Sequence, residues 1–270
     1  MSFLGLFGKK KHKHAEVWNA KTMFGPNLNF TATEAYKLLR TNIVFSFPDE
    51  GAGRAIGVTS SVQSEGKSTT VCNTAYALSE AGYRVLLLEA DLRRPSVSSK
   101  LGTERSPGLT NLLISKGNYK DVLQQSTMAP KMDILTSGDI PPNPSELLAS
   151  NRMSRLMDQL KQDYDYVIVD LPPVTVVSDA LAVSKNLDGA VMVVRSGVSE
   201  QPMLKEALRQ LEMVNVPVLG FVYRENNASN QKYGYRYGKK YYKYYSGYDR
   251  KQKKQPSEVK ATNLETENKP

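Results

Sequence analysis

An apolar run, Ala55-Ile56-Gly57-Val58-Thr59, leads into Ser61-Val62-Gln63-Ser64-Glu65-Gly66-Lys67-Ser68-Thr69-Thr70, and a helix-like run follows over residues 67–81. No other stretch restricts the fold as strongly. In a strand, tight loop and helix in that order, loop N–H groups and the positive end of the helix dipole converge on one anion. Gly66 lets the main chain pass close to a phosphate, Lys67 sets a point charge on the outer phosphates, and the Ser68 hydroxyl can ligate Mg²⁺. Ser61, Ser64, Glu65 and Thr69 complete the candidate nucleotide cradle. Such loops open on Gly, whereas Ser61 stands here, and Ser tolerates fewer backbone conformations. A chance Gly-Lys-Ser at the start of a surface helix would show the same letters. The strand before it and the helix after it argue for the loop.

Two further apolar runs end in acids. Arg84-Val85-Leu86-Leu87-Leu88 runs into Glu89-Ala90-Asp91-Leu92-Arg93-Arg94-Pro95, and Tyr166-Val167-Ile168-Val169 into Asp170-Leu171-Pro172-Pro173. Short continuous apolar runs suit parallel strands buried on both faces. Acids at their carboxyl ends point into the crevice where α/β folds bind ligands. A lone acid there can be a plain helix cap, but two such ends beside a phosphate loop favour Glu89, Asp91 and Asp170 as functional.

Residues 132–136, 189–194 and 218–222 read as further strands, and 201–214 as an amphipathic helix with Leu204, Leu208 and Leu211 inward. The Pro-rich piece at 138–144 reads as a rigid loop, with a helix from Ser145. Residues 33–45 read as a helix capped by Thr31 or Thr33, with Ala35, Leu38 and Leu39 on one face and Pro48 closing the segment. Alternating strands and helices imply an α/β fold: a mostly parallel sheet with helices on both faces.

At 270 residues the chain can hold one sizeable α/β domain plus tails. No apolar run approaches the ~18 residues of a membrane span, and Cys72, the sole cysteine, excludes an internal disulfide. A cytoplasmic chain is expected. The net charge of +9 sits at the ends: residues 232–254 carry nine Lys/Arg against Asp249 alone, residues 1–21 carry five Lys against Glu16, and the remainder sums to −3. That distribution argues against a nucleic-acid groove on the domain and favours tails that meet something acidic.

The first residues pair an apolar patch, Phe3-Leu4-Gly5-Leu6-Phe7, with the basic run Lys9 to His14. A solvated leader is the plainer reading, and contact with an anionic membrane the alternative. Near the other end stand eight tyrosines, Tyr233, Tyr235, Tyr237, Tyr241, Tyr242, Tyr244, Tyr245 and Tyr248, separated only by Gly, Lys, Arg and Ser. No helical or strand period is sustained. Such a segment could stack on single-stranded nucleic acid or serve as a run of phosphate acceptors. Residues 251–270 read as a disordered polar tail.

Taken together, these motifs resemble the bacterial tyrosine kinases that govern capsular and extracellular polysaccharide synthesis, in the form whose kinase is a separate cytoplasmic chain. The resemblance rests on Ser61–Ser68, on Leu86 to Arg93, on Val167 to Pro172 and on the tyrosine cluster, all in order. It implies a P-loop NTPase-type α/β domain over residues 30–228, with an oligomerisation helix at 30–47, a leader at 1–29, a tyrosine tail at 229–250 and a polar tail at 251–270. It implies ATP and Mg²⁺ as cofactors. Lys67 would bind the phosphates, Ser68 and Asp170 would hold the metal, and Glu89 and Asp91 would assist the metal and activate the attacking tyrosine. It also implies a ring-like homo-oligomer in which the tyrosine tail enters a neighbour's site. A transmembrane co-polymerase-type activator on a separate chain would recruit the kinase to the inner membrane face, and a cognate tyrosine phosphatase would act on it. Two departures stand out. Glu89 replaces the usual Asp, so the roles of Glu89 and Asp91 are not separated. The oligomerisation motif Glu34-Ala35-Tyr36-Lys37-Leu38-Leu39-Arg40 carries Lys37 for Arg, which keeps charge and loses the bidentate fork; a solvated face with a local ion pair is its plainer reading.

The main rival is a switch ATPase of the ParA/MinD type. Its loop typically carries an extra Lys five residues before the main one, where this chain has Val62. A nucleotide switch with an RNA-binding tail is the third reading, and the domain offers no stacking platform to support it.

Overall fold

A computed structural model describes residues 25–48, 51, 53–115 and 117–225. Its centre is β1 (Arg54–Ser60), which is glycine-thinned at Gly57 and buried along nearly its whole length. Flanking it are β5 (Tyr166–Asp170) and β6 (Gly189–Arg195), with β2 (Val85–Glu89), β4 (Met132–Leu135) and β3 (Gln124–Gln125) beyond β5 and β7 (Val218–Arg224) beyond β6. The seven-stranded order is β3-β4-β2-β5-β1-β6-β7. All pairings are parallel except that of β4 with the two-residue β3 (Gln124–Gln125), which runs antiparallel.

Helices cover both faces, as expected for parallel strands. Alternate residues of each strand serve two cores. Ala55, Leu86, Leu88, Val167 and Val169 pack with α6 (Asn151–Asp163), α7 (Asp179–Val183) and α8 (Gln201–Met213). Ile56, Val58, Leu87 and Ile168 face α1 (Phe30–Phe45) and α2 (Lys67–Glu80). The period of two within unbroken apolar runs is therefore real, but both phases are buried. Cys72 packs inside the α2 face, where burial pushes its thiol pKa well up.

Three expectations need correction. The cap of α1 is Asn29, whose Oδ1 accepts the Ala32 N–H at 2.9 Å; Thr33 instead donates its hydroxyl to the Asn29 carbonyl. The inward face of that helix is Leu39, Ile43 and Val44, while Ala35 and Leu38 are exposed. The reason is that α1 lies on α2 only along one narrow stripe, so a broad apolar face is not needed. Lastly, the helix expected from Ser145 stops after one short piece, α5 (Pro144–Ala149). Ser150 then restarts the chain as α6 by accepting the Met153 N–H at 3.2 Å. Of the expected leader at 1–29 only residues 25–29 are described, and there the Gly25 N–H donates to Asn73 Oδ1 at 3.1 Å; the expected tyrosine tail and polar tail lie outside the described residues.

Candidate active site

The loop after β1 is braced from within. Glu65 is fully buried and accepts from the Ser61 hydroxyl, from the Val62 N–H at 2.8 Å and from the Ser199 hydroxyl. Ser61 and Glu65 therefore build the cradle rather than line it. Ser61 is absent from the positive-φ positions; Ser64 (φ 64°) and Gly66 (φ 98°) take them. This is why Ser replaces the opening Gly without strain: the left-handed turn is made later in the loop. Gly66 also leaves room that a side chain would fill, since a Cβ there would lie 1.4 Å from an Arg224 guanidinium nitrogen. Arg195 donates to the Ser64 carbonyl at 2.8 Å. Lys67 opens α2 at 8% exposure, and Thr69 follows on the pocket wall.

The acids divide by environment. Glu89 is fully buried on β2, and its oxygens accept three backbone N–H groups, those of Ser96 and Val97 at 2.6 Å each and of Ser137 at 3.1 Å. Asp91 lies at the pocket wall and accepts only the Arg94 N–H at 3.0 Å. Asp170 ends β5, directly opposite Glu89 in the sheet register. Its carboxylate is buried and neither oxygen makes a well-formed hydrogen bond. Burial pushes its pKa up to about 7, opposed first by the Lys67 charge and then by the nearby Ser68 hydroxyl. Ser68 in turn accepts from the Ser96 hydroxyl at 2.9 Å. Both strand ends are stitched to the loop: Thr59 donates to the Pro172 carbonyl at 2.7 Å, and Thr175 to the Ser61 carbonyl at 2.6 Å.

The wall of a pocket of about 260 Å³ includes Ser64, Gly66, Lys67, Ser68, Thr69 and Asp91, whereas Ser61, Glu65, Glu89 and Asp170 are buried and do not line it. The sequence reading left out Arg94, Lys100, Val176 and Val177, which share that wall. It also left out Arg93, whose guanidinium makes a two-point contact with the fully buried Asp179 at 2.7 and 3.1 Å. Ser145 donates a hydroxyl to the same carboxylate. That knot joins the loop after β2, the start of α5 and the start of α7. The motif letters Arg93-Arg94 were visible, but Asp179 lies 86 residues away, beyond any local pattern.

Of the three oligomerisation candidates, Glu34 and Lys37 form a local ion pair at 3.0 Å, both well exposed. Arg40 donates to the Ala77 carbonyl at 2.9 Å, anchoring α1 to α2 within the chain. The eight candidate tyrosines, Tyr233 to Tyr248, lie outside the described residues.

Comparison with known proteins agrees with this architecture. Residues 54–212 match the family model described as an AAA domain. The tyrosine-protein kinase YwqD of Bacillus subtilis is 38% identical over 209 residues, covering 77% of this chain and 87% of that one. The kinase domain of the Escherichia coli tyrosine kinase ETK superposes with a TM-score of 0.69 at 30% identity, over 74% of this chain and 78% of that one. The crystal structure of the chimerical protein CapA2B2 gives 0.67 at 36% identity, over 71% and 83%. With the phosphate loop, the two acidic strand ends and relatives of this likeness, the chain belongs to the bacterial tyrosine-protein kinase family and is a protein-tyrosine kinase.

Proposed function

We propose that the kinase transfers the γ-phosphate of ATP, with Mg²⁺, to tyrosines of the cluster Tyr233–Tyr248 on a neighbouring copy, and thereby regulates capsular or extracellular polysaccharide synthesis. The observation that carries the site reading is Asp170: a buried carboxylate beside the first residues of a phosphate loop, faced by the Lys67 charge and the Ser68 hydroxyl but without a well-formed hydrogen bond. A buried charge left unpaired is costly, so such a group fits a bound cation. Among the described residues no three carboxylate, His or Cys side chains converge to hold a metal by themselves. Mg²⁺ suits that setting, because it keeps waters and phosphate oxygens and asks for one or two protein oxygens. Ser68 and Asp170 would supply those. When bound, the ion neutralises phosphate charge.

The division of the acidic pair follows from hydrogen bonding. Glu89 has its oxygens committed to the backbone, so it holds the loop and the start of α3 (Val97–Leu101) in place. Asp91 lines the pocket and has the Arg94 N–H as its one hydrogen-bond donor among the described residues, which favours it as the acceptor of the phenolic proton, one that a tyrosine of ordinary pKa ~10 does not lose unaided at neutral pH. Lys67, at the helix N-terminus, is placed for the transferring phosphate. Phosphoryl transfer asks for positioning and charge neutralisation above all.

The resemblance supplies the wider setting: a transmembrane activator on another chain, recruitment to the inner membrane face, a ring of subunits and a tyrosine phosphatase. No helix among the described residues is long and apolar enough to cross a membrane. The EpsB relative from Ralstonia solanacearum is matched over only 28% of its length, so there the corresponding part belongs to a much longer chain.

Incubation with Mg²⁺-ATP and mass-spectrometric mapping, beside Lys67→Met and with an activator's cytoplasmic segment added, tests the proposal. Phosphate clustered in Tyr233–Tyr248 and absent in the variant is the expected result. ATP hydrolysis without phosphotyrosine, even with activator, would favour the switch-ATPase reading of the site.

A further inference from the structure

Two adjacent arginines leave the loop after β2 and meet opposite fates. Arg93 is neutralised by Asp179 through its two-point contact. Among the described residues Arg94 has no carboxylate partner within ion-pair distance. Its guanidinium Nη1 donates to the neutral Oε1 of Gln63, a residue of the phosphate loop, at 2.8 Å, and both side chains line the pocket. Its backbone N–H meanwhile donates to Asp91, so loop and acid move as one body. Arg94 lines the same pocket as Lys67, Ser68 and Asp91. A cation beside a phosphate cradle, held only by an amide and anchored by a neighbour that is itself locked to a buried carboxylate, is a poor design for a structural ion pair. It is the chemistry expected of a group reserved for an anion. An amide contact is readily exchanged for a charge-assisted, two-pronged contact with phosphate oxygens.

We propose that Arg94 is a catalytic residue: with nucleotide bound, its guanidinium exchanges Gln63 for the transferring phosphoryl group and stabilises the charge that develops there. The inference rests on the kinase reading of the site. In the step, the tyrosine phenolic oxygen forms a bond to the γ-phosphorus and the bond from that phosphorus to the bridging oxygen breaks. The electron pair leaves with ADP, and the phenolic proton passes to Asp91. Negative charge grows on the bridging oxygen and stays spread over the equatorial oxygens, where a planar cation acts. Arg93, through Asp179, is the positioning residue that keeps the Arg94 backbone in place.

The test compares wild type, Arg94→Ala, Arg94→Lys and Gln63→Ala in the full chain, with two readouts. One is autophosphorylation rate against ATP concentration. The other is affinity for Mg²⁺-ADP with and without aluminium fluoride, which mimics the transferring group. Expected are an Arg94→Ala affinity for Mg²⁺-ADP within about threefold of wild type, loss of the tightening caused by aluminium fluoride, and a fall in kcat on the order of 10³-fold. Arg94→Lys should recover part of both losses, and Gln63→Ala should lose far less than Arg94→Ala. Equal losses in Gln63→Ala and Arg94→Ala would show a mere strap between two loops and overturn the proposal. So would retained tightening in Arg94→Ala, or a wild type that shows none. If Arg94→Ala does not fold, judged by its melting, Arg94→Lys against Gln63→Ala carries the same comparison. Failure of the kinase reading is separate: wild type would then bind the mimic and hydrolyse ATP but leave tyrosines unmodified, and the tightening would still report on Arg94.

Discussion

The acids at the strand ends show how one residue type takes different roles through its surroundings. Asp170, with its pKa raised to about 7 by burial, stays protonated in the folded chain at pH values where the unfolded chain has already ionised. The folded value lies above the unfolded one, so this group costs nothing below the unfolded pKa near 4. It costs progressively more as pH rises toward 7, and a constant amount beyond. Asp170→Asn should therefore stabilise the nucleotide-free protein by up to a few kcal/mol above pH 7 and hardly at all below pH 4. It should also abolish the Mg²⁺-ATP-dependent rise in melting temperature; thermal melts across pH, with and without Mg²⁺-ATP, check both. The acidic pair makes a second contrast. Glu89→Gln puts an amide where three N–H groups need acceptors and should cost about 1–3 kcal/mol in denaturant unfolding. Asp91→Asn should fold normally yet lose autophosphorylation by about 10²-fold or more. The letters made both acids candidates. Only the positions of the Ser96, Val97 and Ser137 amides separate them, and Ser137 lies 48 residues from Glu89.

At the scale of elements, apolar runs announced the strands because strands covered on both faces need unbroken hydrophobic stretches. The helices were less legible. α2 follows its loop as expected, but α1 exposes Leu38 and Phe45 at 63% and 78%, so its apolar letters do not mark one inward face. Its start depends on Asn29, which stands two residues before Thr31 and four before Thr33, the caps expected from the sequence. Asn29→Ala should cost about 1 kcal/mol of stability by urea unfolding, whereas Thr31→Ala should cost little. α6 was missed altogether, though Met153, Leu156, Met157 and Leu160 repeat at helical spacing and are all buried. The break at Ser150, which ends α5 and caps α6, interrupts the helical spacing between Ser145 and Met153. Leu160→Ala, at a fully buried position, should cost about 2–5 kcal/mol.

For the molecule as a whole, charge is the long-range variable. The segment 232–254 carries a net +8, and each tyrosine phosphate would add about −1.5 to −2. About five phosphates would bring it to around zero or below by that figure. Phosphorylation is therefore expected to release the tail from an acidic neighbouring site and loosen the oligomer. Native mass measurement before and after phosphatase treatment checks this, and an unchanged assembly would count against it. The sequence by itself determined the parallel α/β class, the phosphate loop at Ser61–Thr69 and the acids at the ends of β2 and β5. These are signals carried by near neighbours: a hydrophobic run, a turn and a helix start lie within one short stretch of chain. Tertiary structure alone decided which acid faces the pocket, why Ser61 is tolerated, that Asp179 neutralises Arg93, and that Arg94 remains beside the phosphate cradle. Those outcomes depend on hydrogen bonds and burial between segments many tens of residues apart. Such contacts exist only once the strands have paired and brought their carboxyl ends to one edge of the sheet.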